Sequence, residues 1–386
     1  MKHFYYICWY IADEDKDTFR GNVTGVLKMK YVVEQMQASG VSPAIVSLAQ
    51  QRKKGFSCSI KKALHGEVPL IYLAGFNGMG AFGRVLNNMI KLVELFFLLV
   101  FRVRSTDKIV LYHNYPQTRF VAFIKPLLRA EVIIEVEELY GYSPTEDKPW
   151  VEKEIKAVKR MDAFICVNEG MPRQLGLQEG KYVVNYGAGV IPVRTAPRKT
   201  DGKIHVVYAG TIEGEKKGAA TAVEAAKYLP DNYMMHIIGF GGEEHIRRLC
   251  QRIDEINKSL NRPAVIYDGC LGGKELDAYL FSCHIGLSSN VMRTNFANNS
   301  FPSKVITYMC HDLSVVLGYA EAFYDVPMSE GWTFYNDFTP KMIAEAIMFA
   351  RVVPEGYYHG RIEKMNQELR QFFSETYKRY HKRHCS

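Results

Sequence analysis

In two successive series, short apolar, β-branched runs alternate with longer stretches of helical periodicity. This pattern restricts the fold of the chain more than any other feature. Such alternation is typical of βαβ units, in which helices cover both faces of a parallel sheet. The two series are separated by Tyr186–Lys203, which is rich in Gly, Pro and basic residues and has no periodicity. The sequence therefore predicts an α/β protein with two Rossmann-like, doubly wound domains facing each other across a cleft, at residues 1–187 and 188–364, followed by a helix at 365–386.

The expected strands are apolar on both faces, as a sheet covered on both sides requires. They lie at Phe4–Ile11, Ala44–Ser47, Leu70–Leu73, Lys108–Tyr112, Val132–Glu135, Ala163–Val167, Tyr182–Val184, Ile204–Ala209, Met234–Ile238, Ala264–Tyr267, Ile285–Ser288 and Ser314–Leu317. Helices are expected at Val26–Ala38, Phe82–Val103, Gln117–Leu128, Trp150–Met161, Ala219–Tyr228, Glu243–Leu260, Lys274–Phe281, Ser303–Met309 and Lys341–Ala350.

Composition excludes several classes of protein. Apolar residues make up 47% and charged residues 23% of the chain, which excludes a mostly disordered or fibrous protein. The eight cysteines include no C-x-x-C pair, so we expect reduced thiols in a cytosolic protein and no zinc site. The apolar stretch Phe4–Ala12 is followed by acidic residues, which favours a buried strand over a signal peptide. The apolar run Leu95–Phe101 is far shorter than the ~20 residues that cross a bilayer.

The net charge of +8 is concentrated in one segment. Between Gln51 and Arg104 the sequence has nine basic residues and only two acidic ones, next to the apolar helical stretch Leu92–Val103. Basic residues beside an apolar helix predict contact with an anionic membrane surface, and the alternative is a solvated basic loop beside an ordinary core helix. The segment lacks a nucleic-acid-binding motif, so nucleic acid is not an expected partner. The predicted membrane contacts are Arg52, Lys53, Lys54, Lys61 and Lys62.

Four turns where strands lead into helices have residues suited to phosphate. Glycines and helix starts allow backbone N–H groups to approach an anion, although each turn also fits a purely structural role. In the second turn Lys217 stands beside the expected helix start, where a lysine can neutralise a diphosphate. The candidate residues of the four turns are Gly21 and Gly25, then Gly210, Thr211 and Lys217, then Gly239 and Gly241, then Asn299, Ser300, Ser303 and Lys304.

Taken in order, these elements resemble the donor domain of a GT-B glycosyltransferase, most closely family 4. The similarity covers about residues 204–350 and includes "GT…KKG…AVEAAKYL", "IIGFGG", "IYDGCLGGKELDAYLFSCHIGLSSN" and "SFPSKVITYMCHDLSVVLG". The resemblance implies that residues 188–364 bind a nucleotide-sugar and that Lys217 contacts its diphosphate. Where the family carries two Glu residues that contact the donor sugar and the ribose, this chain has Asn299 and Thr307, and Thr211 replaces a frequent Arg. Asn and Thr can still hydrogen-bond hydroxyl groups, but without a charge.

The first domain is expected to bind the acceptor. Glu137 and Glu138 end a strand where many relatives have His-Asp, and either can act as a base toward an acceptor hydroxyl or orient it. The alternative is an acid pair that caps a helix. His113 follows another strand; a lone histidine in such a place is more often structural, and the alternative is an acceptor-side residue. The D-x-D in Asp13–Asp17 comes too early in the chain for the metal-binding role of the other large glycosyltransferase fold, so no metal is expected.

The resemblance implies a metal-independent, retaining hexosyltransferase, and we expect Glu137, Glu138 and Lys217 to be its catalytic residues. It would transfer a sugar from a UDP- or GDP-sugar to a glycan or polyprenyl-linked acceptor in surface polysaccharide assembly, without a cofactor. We expect a cytoplasmic protein peripheral to the inner face of the cell membrane. The alternatives are a catalytically inactive GT-B scaffold, a nucleotide-sugar epimerase and a non-catalytic protein that binds anionic lipid.

Overall fold

The computed structural model describes residues 3–21, 23–64, 67–143, 146–212, 218–289, 294–324 and 326–383. The chain divides into two compact units, of which the first contains residues 1–142, 147–188 and 366–386 and the second contains 143–146 and 189–365. The helix-covered parallel sheets expected from the sequence are present in both units. Among the described residues, no helix is long and apolar enough to cross a membrane.

The first unit is built on an eight-stranded sheet in the order β12-β11-β10-β9-β1-β3-β7-β6. All its strand pairs are parallel except that of β6 with β7, and two short antiparallel pairs, β2-β4 and β5-β8, lie outside it. The strands are β1 (His3–Cys8), β2 (Phe19–Arg20), β3 (Ser42–Ser47), β4 (Gln50–Gln51), β5 (Gly55–Ser57), β6 (Ile60–Leu64), β7 (Val68–Tyr72), β8 (Gly75–Asn77), β9 (Lys108–Tyr112), β10 (Glu131–Val136), β11 (Ala163–Cys166) and β12 (Tyr182–Val184).

Among the described residues up to 188, five α-helices accompany these strands, and the order of strands reverses between β1 and β9. They are α1 (Val23–Ala38), α2 (Gly80–Phe97), α3 (Tyr115–Ile124), α4 (Val151–Val158) and α5 (Gly170–Leu175). Helix α2 continues as a π-helical turn through Leu98–Arg102. The core of the unit contains buried side chains from both sides of the reversal, including Tyr6 and Val110, which are neighbours across β1 and β9.

The second unit contains a six-stranded parallel sheet in the order β15-β14-β13-β16-β17-β18, so its strand order reverses between β13 and β16. The strands are β13 (Ile204–Ala209), β14 (Tyr233–Ile238), β15 (Val265–Tyr267), β16 (Ile285–Ser288), β17 (Ser314–Gly318) and β18 (Thr333–Tyr335). The helices are α6 (Gly218–Ala225), α7 (Glu243–Leu260), α8 (Gly273–Ser282), α9 (Thr294–Asn298), α10 (Lys304–Cys310) and α11 (Pro340–Phe349). Side chains such as Val206, Met235 and Ile285 fill its core.

The last helix, α12 (His359–Arg383), returns to the first unit from residue 366 onward. Its Asn366 accepts a hydrogen bond from the Tyr31 hydroxyl at 2.8 Å, and its Arg370 donates to Gln35 at 2.7 Å. Phe373 packs edge-to-face on Phe4 of β1, with 6.1 Å between the ring centroids. These contacts make α12 part of the first unit's hydrophobic core.

Candidate functional site

Two glycine turns of the second unit pack against each other at the carboxyl edge of its sheet. Gly210 follows β13 and Gly239 follows the neighbouring β14. Gly239 has a φ of 154°, and a Cβ at this position would lie 1.7 Å from the carbonyl oxygen of Gly210. A Cβ on Gly241 would lie 2.1 Å from the carbonyl oxygen of Ile212. The close approach of the two backbones therefore requires glycine at both positions.

Lys304, the first residue of α10, reaches the same pair of turns. Its Nζ lies 3.9 Å from the centroid of the Tyr208 ring, a cation–π contact. A Cβ built on Gly210 would lie 2.9 Å from this Nζ. Burial raises the pKa of Tyr208 to about 12, and the protonated hydroxyl donates to the carbonyl of Thr211 at 3.3 Å. Three of the candidate donor-binding residues, Gly210, Thr211 and Lys304, therefore lie together at one edge of the sheet.

The remaining candidates of the second unit are placed differently. Asn299 is fully buried and Ser300 is buried, whereas Ser303 is exposed and Thr307 is half-buried. The turn after α9 places the side chain of Asn299 in the interior, and its contact with a donor sugar stays a prediction. Lys217 lies outside the described residues, so its contact with a diphosphate stays a prediction.

Tyr308 is a residue of α10 that the sequence motif does not single out. Its hydroxyl accepts the N–H of Ala209 at 2.9 Å and donates to the carbonyl of Leu287 at 3.2 Å. The side chain thereby joins the ends of β13 and β16, the two strands between which the strand order reverses. Ligands of open α/β sheets bind beyond the carboxyl ends of the strands at such a reversal.

In the first unit the predicted acids belong to a buried polar group. Glu137, just beyond β10, forms an ion pair with Lys28 of α1 at 3.3 Å. Glu135, two residues earlier, is fully buried and accepts a hydrogen bond from the Tyr6 hydroxyl at 2.5 Å. Burial, and then the nearby charge of Glu137, raise the pKa of Glu135 to about 8, so this carboxyl group is largely protonated at neutral pH. Glu138 follows Glu137 and is half-buried.

His113 is buried, as a structural role requires, and a role on the acceptor side stays a prediction. Its Nδ1 hydrogen-bonds to the Thr118 hydroxyl at 2.8 Å and its Nε2 to the fully buried Glu154, also at 2.8 Å. Glu154 in turn accepts the backbone N–H groups of Tyr140 at 3.1 Å and Gly141 at 2.7 Å. Both ring nitrogens of His113 are engaged in hydrogen bonds, and through Glu154 the histidine positions the segment that follows Glu137.

A cavity of about 340 Å³ lies at the carboxyl edge of the first sheet. It is bordered by residues that directly follow β1 and β3 and by the inner face of α2, close to the reversal between β1 and β9. Gly21 contributes to its wall, whereas Gly25 is buried in α1. None of the nine described residues that line the cavity is acidic. The polar and aromatic side chains of this wall that can bind a ligand include Trp9, Arg20, Asn87, Lys91 and Gln117.

The five basic residues expected to contact a membrane differ in their exposure and in their ion pairs. Arg52, Lys53, Lys54 and Lys61 are exposed. Lys62 forms ion pairs with Glu14 at 2.8 Å and Asp15 at 2.5 Å, so its charge is already neutralised by the acidic turn after β1. Lys62 therefore offers less positive charge to a membrane than the other four residues, and the membrane contact of all five stays a prediction.

Helix α2 buries a polar face and exposes an apolar one. Its buried side carries two polar residues, Asn87 and Lys91, between Gly83 and the apolar Leu95. On the outer side five large apolar residues are between 55% and 75% exposed, at the spacing of a single helical face. Phe101, in the π-helical turn, continues this stripe at 71% exposed. We call these exposed residues the α2 stripe; it consists of Phe82, Val85, Met89, Val93, Phe97 and Phe101.

Across the parts of the chain that the structure describes, no group of three or more His, Cys, Asp or Glu side chains is arranged to hold a metal ion. In the acidic turn, Asp13 pairs with Lys16 at 2.7 Å and Asp15 accepts the Tyr72 hydroxyl at 2.7 Å. These acids hold the turn in place.

No family model matches the chain and no curated protein matches it, but solved structures share its fold over nearly its whole length. A UDP-forming α,α-trehalose-phosphate synthase from Burkholderia vietnamiensis is 14% identical, with a TM-score of 0.66, over 98% of this chain and 97% of its own. HepE from Anabaena, in complex with UDP, is 10% identical with a TM-score of 0.60, over 98% and 95%. The trehalose-6-phosphate protein of Escherichia coli bound with UDP-2-fluoro glucose is 9% identical with a TM-score of 0.65, over 98% of each chain. The chain therefore has the GT-B fold.

Proposed function

We propose that the protein is a glycosyltransferase that takes a sugar from a nucleotide-sugar, with UDP as the favoured nucleotide, and attaches it to an acceptor hydroxyl. The observation that carries the proposal is the GT-B fold over 98% of the chain, joined to a lysine held beside the glycine turns of the second unit. UDP is favoured because two of the structural neighbours contain UDP or a UDP-sugar analogue. Family-4 resemblance supports a retaining reaction that transfers a hexose and needs neither metal nor cofactor.

In the proposed reaction the bond between the anomeric carbon and the diphosphate oxygen breaks, and the acceptor oxygen bonds to the same carbon. Lys304, at the carboxyl edge of the second sheet, would stabilise the negative charge that develops on the departing diphosphate, together with Lys217. The proton leaves the acceptor hydroxyl for a carboxylate or for the departing phosphate. We assign the role of orienting or deprotonating that hydroxyl to Glu137, about one-fifth exposed beside Lys28, or to Glu138, which follows it.

Donor binding tests this role directly. We expect UDP to raise the Tm of the purified protein by mass action, and Lys304→Met to weaken UDP binding by about tenfold, which corresponds to about 1.4 kcal/mol. Lys341→Met is the matched control, because Lys341 is an exposed lysine at the start of α11 in the same unit. If none of UDP, GDP, ADP, CMP and dTDP binds the wild type at millimolar concentration, the proposal is wrong.

The absence of an acidic side chain at Asn299 and Thr307 supports a second candidate, an inactive scaffold that retains the fold. The amide of Asn299 is neutral, so it offers no charge to a bound sugar, and its side chain is fully buried. The two candidates differ in turnover: a transferase releases UDP from a UDP-sugar when acceptor is present, and slowly by hydrolysis without it. Binding of UDP with no release of UDP from any UDP-hexose, in the presence of a membrane extract as acceptor source, would support the scaffold.

We also propose that the protein works on the cytoplasmic face of an anionic membrane, on a glycan or polyprenyl-linked acceptor of surface polysaccharide assembly. The α2 stripe supports this, because a surface helix that exposes its apolar face is the form that lies in a membrane interface. Arg52 adds positive charge near the start of the helix, since its carbonyl accepts a hydrogen bond from Asn77, three residues before α2. Exposed Lys53 and Lys54 follow it, and each basic residue contributes about 1 kcal/mol near an anionic surface.

Vesicle flotation tests the membrane contact. We expect binding to vesicles of phosphatidylglycerol and phosphatidylcholine, and little binding to phosphatidylcholine alone. The pair Phe82→Ser and Phe97→Ser should reduce binding at least about tenfold, because burying one Phe contributes about 1.5–3 kcal/mol. Phe349→Ser is the control, since Phe349 is 80% exposed on α11 of the other unit. Unchanged flotation of the double variant would exclude the α2 stripe as the contact.

A further inference from the structure

The inner face of α2 places a buried cation against the cavity of the first unit. Lys91 is only 4% exposed, and its Nζ donates hydrogen bonds to the carbonyl oxygens of Leu48 and of Ala49, the latter at 3.0 Å. Among the described residues it forms no ion pair. A charge taken out of water without a counter-ion is unfavourable, and here burial, and then the charge of Arg20, lower the pKa of Lys91 to about 8.

A second buried group lines the same cavity and lacks a partner. Gln117, near the start of α3, is 5% exposed, and its Oε1 accepts no hydrogen bond from the described residues. A buried amide oxygen of this kind usually has a donor, because leaving it unpaired costs about 1–3 kcal/mol. A ligand hydroxyl would supply the donor.

Arg20 adds the second positive charge of the cavity. Its guanidinium is held by Gln50, at 2.7 and 3.0 Å, and by Asn77 at 3.1 Å, so it is oriented although exposed. Trp9, directly after β1, adds an aromatic ring to the wall, and this ring lies edge-to-face on Tyr112 at 6.4 Å. With Lys91 and Arg20 present and no acid in the wall, the cavity has a net positive charge.

From this arrangement we infer that the cavity of the first unit binds an anionic sugar, with a phosphate or carboxylate between Lys91 and Arg20 and a ring hydroxyl donating to Gln117. The volume of about 340 Å³ suits a small ligand, since small-molecule sites occupy about 300–1,000 Å³. The site lies beyond the carboxyl ends of β1 and β3, where open α/β sheets bind ligands. The inference rests on the proposed function only in making this anionic sugar the acceptor; binding of the sugar does not require it.

Calorimetric titration of the full chain tests the inference with mannose 6-phosphate, N-acetylglucosamine 1-phosphate and glucuronic acid, each at up to about 10 mM, ten times a millimolar Kd. Neutral mannose, inorganic phosphate and UDP are the comparison ligands. We expect at least one anionic sugar to bind, and mannose and inorganic phosphate to bind at least about tenfold more weakly. Arg20→Gln and Gln117→Leu should each weaken the anionic sugar about tenfold and leave UDP binding unchanged.

Arg84→Gln is the matched control, because Arg84 is exposed on α2, the helix that carries Lys91, and does not line the cavity. Arg20 is also exposed, so Arg20→Gln stays informative should Gln117→Leu fail to fold. The inference is overturned if no anionic sugar binds, if mannose or inorganic phosphate binds as tightly as the sugar phosphates, or if Arg20→Gln weakens UDP equally, which would make the cavity part of the donor site. A protein that binds a sugar phosphate through Arg20 but binds no nucleotide would retain this inference and lose the proposed function.

Discussion

Lys91→Met is expected to change the free energy of unfolding in a way that reverses with pH. The substitution keeps the side-chain length and removes the charge. Because the pKa of Lys91 falls from 10.5 to about 8 in the folded protein, the ionised side chain destabilises the fold by about 3 kcal/mol at pH 7. The unfolded chain binds the extra proton between pH 8 and 10.5, so this penalty falls as the pH rises and is about 1 kcal/mol at pH 9.5.

The variant also loses two hydrogen bonds to backbone carbonyls, which together contribute about 2 kcal/mol. Lys91→Met should therefore be about 1 kcal/mol more stable than the wild type at pH 7 and about 1 kcal/mol less stable at pH 9.5. Urea unfolding of both proteins at pH 7, 8 and 9.5 measures the difference, and exposed Lys341→Met should show no such trend. A difference between wild type and variant that stays constant over this range would refute the argument that Lys91 is a buried, unneutralised cation.

Three further predictions concern the folded state. The pKa of Glu135 is raised to about 8, so the wild type loses stability as the pH rises from about 4.5 to 8. In urea unfolding, the free energy of unfolding of Glu135→Gln should therefore increase relative to that of the wild type over this range. A difference between the two proteins that does not change with pH would contradict this prediction. Gly239→Ala should lower stability by at least about 2 kcal/mol because its Cβ meets a carbonyl oxygen at 1.7 Å, whereas Gly272→Ala, with no atom within 4 Å, should be neutral. The pKa of His284 is lowered to about 4, mainly by burial. The free energy of unfolding should therefore fall by about 1 kcal/mol, after allowance for partial exposure, as the pH drops from 6.5 to 4. In urea unfolding, His284→Asn should not show this fall.

The strands at the centre of both sheets are predictable from sequence because they are continuous apolar runs. Ile133 and Val110, for example, are fully buried neighbours in β10 and β9. The short outer strands are not predictable in this way. Strand β6 contains two consecutive lysines and has one buried residue, so its pattern resembles a loop, and its conformation depends on pairing with β7. The first strand ends at Cys8, earlier than its apolar pattern indicates, because the chain turns there to border the cavity.

The polar contacts of the candidate site could not be predicted because their partners are distant in sequence. Lys28 and Glu137 are separated by more than 100 residues, as are Tyr6 and Glu135. Counting charges along the sequence also predicts that Lys62 belongs to a basic surface, whereas in the fold it forms an ion pair with Asp15, which is distant in sequence. The glycine turns and Lys304 were accessible to sequence reasoning since each lies directly after a strand or at the start of a helix, where position follows from chain order.

The return of α12 to the first unit has a consequence for the order of folding during synthesis. Residues 189–365 are inserted between two parts of the first unit, so they leave the ribosome before the segment that supplies Asn366, Leu369 and Phe373 to that unit's core. The inserted unit can therefore complete its own sheet co-translationally. The first unit can complete its hydrophobic core only after residues 366–386 have been synthesised. A stop codon near residue 360 would consequently damage the unit synthesised first, by exposing the apolar surface around Phe4 and leaving Tyr31 without its partner on α12.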